Sequence, residues 1–172
     1  VFLTKKIING KIDKKVNEQL EKKIGSDYNL FFYKQGFLKN LKKITNFRRK
    51  YILYFLLVYP NIKCSSKSVY SSLKKWSPKV DYNFNKINSN QKFIKFLQNK
   101  KNDLQSVVEK KHPIIKKLIL EIGKTRGCFF SRMTGSGSVC YGVFQSEKNA
   151  KKAFKKLRKR YPKFWLSIAK TI

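Results

Sequence analysis

Histidine is nearly absent from this 172-residue chain, which has only His112. One histidine leaves no Ser-His-Asp triad and no His/Cys cluster with metal-ligand spacing, so those chemistries drop out. His112 stands directly before Pro113, where it reads as a helix-start residue rather than a catalyst. Cysteine is also scarce: Cys64, Cys128 and Cys140 share no pair spacing, and two of them fall in apparent strands. That is the pattern of buried thiols in a cytoplasmic protein, with neither a disulfide framework nor a metal site. Long apolar runs are missing too. The longest, residues 51–59, falls far short of the roughly 20 residues that span a bilayer, and no signal peptide is visible. No membrane partner is expected.

Acidic residues are few, with 9 Asp+Glu against 41 Lys+Arg and a formal charge of +32. Such an excess ordinarily points to nucleic acid or an anionic surface. Yet only six of the basic residues are Arg (48, 49, 126, 132, 158, 160), and the remaining 35 are Lys. Specific readers of nucleic acid lean on the planar fork of Arg, which grips phosphates and base edges in pairs. Lysine here is spread along the whole chain with abundant Asn, Ile, Phe and Tyr. These residues share A/T-rich codons, so compositional drift explains the charge without a polyanionic partner. A real electrostatic footprint is the alternative.

What is present is a foldable pattern. Hydrophobic residues make up 41% of the chain, enough for a packed core in a medium domain, or in one domain with a piece of another. Val16, Leu20 and Ile24 predict a short amphipathic helix with Gly25 as its C-terminal cap. Leu30–Tyr33 reads as a buried strand that Gln35-Gly36 turns toward Phe37 and Leu38, and residues 39–50 are polar and basic. Ile52–Val58 reads as a second buried strand ending at the Tyr59-Pro60-Asn61 turn. Ser65-Ser66 offers an N-cap for a helix carrying Val69, Tyr70 and Leu73. Residues 74–91 predict a loop, Phe93–Leu97 a helix, and Asn102-Asp103 the cap of another with Leu104, Val107 and Val108 inward. Pro113 opens a helix with a wide apolar stripe, Ile114 to Ile122, that Gly123 stops. Strands follow at Cys128–Met133 and Val139–Phe144. Ser146 then caps a helix, and alternating Phe164, Leu166 and Ile168 form a last strand. From Ile52 onward this is the order of an α+β, split βαβ (ferredoxin-like) sandwich.

The connection between the last two hairpin strands is Thr134-Gly135-Ser136-Gly137-Ser138. Its glycines permit positive φ and close approach of a ligand to backbone amides. Its hydroxyls add donors, and successive amides in such a turn can form an anion-binding nest. A tight hairpin whose Gly and Ser merely satisfy turn geometry is the alternative.

Met133–Phe144, reading MTGSGSVCYGVF after Phe130-Ser131-Arg132, resembles the third motif of the GHMP kinases, the galactose, homoserine, mevalonate and phosphomevalonate kinase superfamily. Three more segments, in order, are similar to its 4-diphosphocytidyl-2-C-methyl-D-erythritol kinase family. These are Ile24-Gly25-Ser26-Asp27 with Phe31-Phe32, then LLVYPNIKCSSKSV over 56–69 ending at Tyr70, then Asn102-Asp103-Leu104 before a Pro-led helix. The resemblance covers about residue 14 to the end. It implies that residues 51–172 are a GHMP kinase C-terminal domain and that residues 1–50 are a remnant of the N-terminal kinase domain.

It further implies ATP with Mg²⁺, the small-molecule substrate 4-diphosphocytidyl-2-C-methyl-D-erythritol, and no specific nucleic acid. Asp27 then falls on the carboxylate that draws the proton from the attacking hydroxyl. Thr134, Gly135, Ser136, Gly137 and Ser138 fall near substrate and phosphates. After Asp27 the family has Val-Pro, where this chain has Tyr28-Asn29. The family's main glycine-rich phosphate loop, catalytic lysine and cytidine-binding segment do not occur in these 172 residues. With the chain opening on Val1, the resemblance implies the C-terminal portion of a longer kinase, inactive in isolation. Two other readings remain open: a basic RNA-binding module sharing the split βαβ layout, and a different GHMP small-molecule kinase.

Overall fold

The computed structural model describes residues 14–24, 35–39, 43–47, 49–78 and 87–171. The chain divides into two units, residues 1–50 with Ile172 and residues 51–171. In the first, helix α1 (Lys14–Ile24) covers the predicted Val16, Leu20, Ile24 periodicity. A hairpin follows, β1 (Gly36–Lys39) against β2 (Lys43–Asn46), with Gly36 opposite Asn46 and Lys39 opposite Lys43. The amide of Phe47 closes it onto the Gln35 carbonyl at 3.2 Å. The sequence reading assigned no element to residues 39–50. β2 arises there because backbone pairing holds a short strand whose Ile44 and Thr45 suit a pleated surface, whatever its lysines. Gly25, Asp27 and the strand expected at Leu30–Tyr33 lie outside the described residues.

The second unit begins with β3 (Tyr54–Tyr59), where alternation turns Leu56 and Val58 inward, both fully buried. Short helix α2 (Ser66–Ser71) starts where Ser65 Oγ accepts the Ser68 amide at 3.4 Å. It ends before Leu73, which nonetheless packs against the core. Helix α3 (Asn90–Gln98) is capped by Ser89, and α4 (Gln105–Lys111) passes at His112 into α5 (Pro113–Gly123), with Pro113 in its first turn. Strands β4 (Cys128–Met133) and β5 (Cys140–Phe144) form the glycine hairpin. Helix α6 (Glu147–Arg160), capped by Ser146, leads into β6 (Trp165–Lys170).

The four strands order as β4-β5-β3-β6, with every neighbouring pair antiparallel. This is the split βαβ sandwich expected from the element order, an α+β architecture. The core is one cluster. Leu56, Val58, Met133, Cys140, Phe144 and Leu166 from the sheet meet Ile115, Leu118, Ile119 and Ile122 of α5 and Ala150, Ala153 and Leu157 of α6. Each large aliphatic side chain buried here contributes roughly 1.5–3 kcal/mol. Gly142 lets α5 lie close on β5, because a Cβ there would stand 2.4 Å from Ile122 Cγ2. Among the described residues, no helix is long and apolar enough to cross a membrane.

One expected cap is corrected. Asn102-Asp103 does not cap α4, whose N-cap position is Leu104 with no side-chain bond. Asn102 Oδ1 does accept the Leu104 amide in the turn that leads into α4, but the side chains of both residues also bond to other segments, and those bonds shape the candidate site.

Candidate functional site

The glycine turn stands at the end of the sheet where β3 and β4 finish and β5 starts. The Thr134 amide donates to the Val139 carbonyl at 2.9 Å, and the Gly137 amide donates to the Thr134 carbonyl at 3.0 Å. Gly135 and Gly137 both have positive φ, +52 and +89, as the sequence demanded of them. No atom lies within 4 Å of where a Cβ on Gly135 would be, so the crest of the turn is open. At Gly137 a Cβ would meet Met133 Sδ at 2.8 Å, which presses that residue to be glycine for space as well as torsion.

The hydroxyls differ in task. Ser138 is 2% exposed and donates to the Ile62 carbonyl, tying the turn to the segment after β3. Ser136 Oγ lies 2.8 Å from Ser66 Oγ at the start of α2. Thr134 is exposed. The amides of Gly135, Ser136 and Ser138 have no acceptor among the described residues. An open crest with the N–H groups of Gly135 and Ser136 free suits an anionic oxygen, such as a phosphate of ATP or of a diphosphate substrate, while the Ser138 amide belongs to a buried residue.

Asn102 and Asp103, expected as a helix cap, and Gln105, not singled out by its sequence, also bear on the site. Asn102 Nδ2 donates to the carbonyls of Met133 (3.0 Å) and Gly135 (2.8 Å). Gln105 Oε1 accepts the Met133 amide at 3.0 Å. Asp103 accepts the Ser77 hydroxyl at 2.6 Å and its amide at 2.9 Å. The Ser77 hydroxyl is the chief reason the Asp103 carboxyl sits below its ordinary 3.8, with burial opposing. Nothing in the local sequence announces these ties, since each joins residues 26 or more positions apart.

Thr134 also edges a cavity of about 270 Å³ on the far face of the sheet, lined by Phe55, Leu57, Leu97, Phe130, Tyr141 and Val143. Its walls are mainly apolar. Asp27 lies outside the described residues, so the geometry places the turn but not the carboxylate. Among the described residues there is no group of three or more His, Cys, Asp or Glu that could hold a metal ion.

Fold and turn together define a class. Residues 83–163 match the family described as GHMP kinases C terminal, and the chain carries that domain. The particular relatives are specific. The chain is 33% identical over 174 residues to the 4-diphosphocytidyl-2-C-methyl-D-erythritol kinase of Pelagibacter ubique, covering 99% of this chain and 59% of the relative. The kinase of the same name from Anaplasma phagocytophilum is 29% identical over 161 residues, covering 90% of this chain and 53% of that protein. A crystal structure of 4-(cytidine 5'-diphospho)-2C-methyl-D-erythritol kinase superposes with a TM-score of 0.69 at 15% identity, over 97% of this chain and 60% of the other. That superposition bears on fold alone. The chain thus spans 53–59% of the length of these two sequence relatives.

Proposed function

We propose that the polypeptide carrying these residues transfers the γ-phosphoryl group of ATP to the 2-hydroxyl of 4-diphosphocytidyl-2-C-methyl-D-erythritol. What carries the reading is the ordered match, over 99% of the chain, to a relative bearing that name. The open glycine turn adds chemical support, as its free amides suit the charge both substrates bring. Residues 1–50 then belong to the preceding kinase domain and 51–172 to the C-terminal domain.

In this reading the hydroxyl oxygen attacks the γ-phosphorus, the bond to the ADP oxygen breaks, and Asp27 accepts the hydroxyl proton. Phosphoryl transfer asks a protein mainly for positioning and for donors directed at the transferred charge. The amides of Gly135 and Ser136 supply such donors at one wall of the site. Charge on the transferred group is offset further by Mg²⁺ arriving with ATP. The 134–138 turn is a secondary wall, since these residues include no counterpart of the family's main phosphate loop.

The test is an assay of the complete polypeptide with ATP, Mg²⁺ and the cytidyl alcohol, following ADP and the new phosphomonoester by ³¹P NMR. Homoserine and mevalonate serve as competing acceptors. The expected result is product from the cytidyl alcohol alone, abolished by Asp27→Asn with ATP binding retained. Preference for another acceptor would overturn the substrate, and undiminished turnover in Asp27→Asn would remove Asp27 from the mechanism.

A further inference from the structure

Asn102 occupies the loop between α3 and α4, and its side chain engages three backbone groups at once. Nδ2 donates to the Met133 and Gly135 carbonyls at 3.0 and 2.8 Å, while Oδ1 accepts the Leu104 amide at 3.0 Å. Only this orientation of the amide satisfies all three, because a flipped group would set oxygen against two carbonyls. The two carbonyls flank Thr134, at the root of the glycine turn. The next residue, Asp103, takes both the amide and the hydroxyl of Ser77, which follows the exposed Trp76. Gln105 adds a third contact to the root, through the Met133 amide, and its own orientation is set by donation to Glu109 at 2.8 Å.

We propose that Asn102 and Asp103 are positioning residues: a two-residue brace that holds the glycine turn and the Trp76-Ser77 segment in one fixed relation. The turn needs such a brace. Two positive-φ glycines, and the Gly135 and Ser136 amides without protein acceptors, leave its crest little internal restraint. Donors that are to meet an anion must be oriented before it arrives if they are to favour transfer, not just binding. Asparagine is required by the chemistry, since a carboxylate at 102 would repel both carbonyls it now bridges. The proposal rests on the kinase reading for what the turn touches.

The experiment compares Asn102→Asp with Ser131→Ala. The control removes a side-chain bond of the same strand, Ser131 Oγ to the Ile119 carbonyl at 2.7 Å, away from the turn. In the complete polypeptide, Asn102→Asp is expected to lower kcat/KM on the order of tenfold to a hundredfold, with KM rising. In the 172-residue chain, amide hydrogen exchange of Thr134 and Gly137, the turn amides that do have protein acceptors, is expected to accelerate by about tenfold, the equivalent of one lost net hydrogen bond. Ser131→Ala should lower the melting temperature and leave both readouts unchanged. If Asn102→Asp fails to fold, Asn102→Ser, whose hydroxyl still reaches the Leu104 amide, is read the same way. Unchanged exchange in the turn overturns the brace, as does faster exchange with KM and kcat unaltered in an active enzyme. A parent polypeptide without phosphoryl transfer would overturn the kinase reading instead, and turn exchange would then decide the brace alone.

Discussion

Gly135 and Gly137 show how two identical residues in one turn carry different constraints. Both have positive φ, but only Gly137 faces crowded space, with Met133 Sδ at 2.8 Å and Cys64 Sγ at 3.6 Å from a would-be Cβ. Gly137→Ala should therefore lower stability by about 1–3 kcal/mol, through torsion and overpacking together. Gly135→Ala should cost only the left-handed torsion, about 1 kcal/mol. Urea midpoints of the two variants decide this, and equal losses would refute the steric difference. Asp103 makes a second prediction at this scale. Its folded carboxyl is held low, so the unfolded chain binds more protons between the folded value and the ordinary 3.8. The stability from its Ser77 bonds is present above pH 4 or so and is lost as pH falls through the folded value. Asp103→Asn should flatten the acid limb of a stability–pH curve, and an unchanged limb would show the tie to be inconsequential.

At the scale of elements, the caps and apolar stripes behaved as local chemistry requires. Ser65, Ser89 and Ser146 each accept an amide in the first turn of their helix, and Pro113 opens α5. The caps at Ser65 and Ser146 were legible because a cap involves only residues three apart, whereas Ser89 falls in the stretch 74–91 expected to be a loop. Ser146→Ala should destabilise by about 1 kcal/mol, read as a lower melting temperature with helix content otherwise kept. No change would mean that Glu147 or water substitutes for the cap. Strand β2 and the tasks of Asn102 and Asp103 were not legible. β2 exists by pairing with β1, and Asn102 reaches 31 and 33 residues along the chain to the hairpin. The Asn-Asp signal was right in part, since Asn102 Oδ1 accepts the Leu104 amide in the turn before α4, but the partners of Asn102 Nδ2 and of Asp103 come from the tertiary fold. Arg132 is similar. Its guanidinium reaches the Leu97 carbonyl at 3.1 Å, placing a cation at the C-terminal end of α3.

For the whole molecule, charge and sulfur set the terms. Ion pairs among the described residues are Lys101–Asp103, Lys151–Glu147 and Arg160–Glu121, few against a formal charge of +32. Mutual repulsion of the lysines should destabilise the folded state at low salt. Added NaCl up to about 0.3 M, which shortens the Debye length below 10 Å, should raise the melting temperature. A fall would mean that attractive pairs dominate. The thiols titrate the other way from Asp103. Burial pushes Cys128 from 9.0 to about 11 and Cys140 to about 12. Above pH 9 the unfolded chain gives up these protons first, so stability declines as pH rises toward the folded values. In the native protein Cys140 should resist alkylation at pH 8 while half-buried Cys64 reacts sooner; early labelling of Cys140 would contradict its burial.

By itself the sequence determined the order of elements in residues 51–171, the helix starts at Ser65, Pro113 and Ser146, and the need for glycine at 135 and 137. All of these follow from interactions between near neighbours or from the periodicity of a single element. The tertiary structure decided which strands lie side by side, with β5 and β6 flanking β3. It also decided what holds the glycine turn in place. The bonds of Ser138 to Ile62, Ser136 to Ser66, and Asn102 to Met133 and Gly135 each join segments far apart in the chain. Such partners are chosen by the packing of the sheet against its helices, and no window of local sequence contains both ends of any of them.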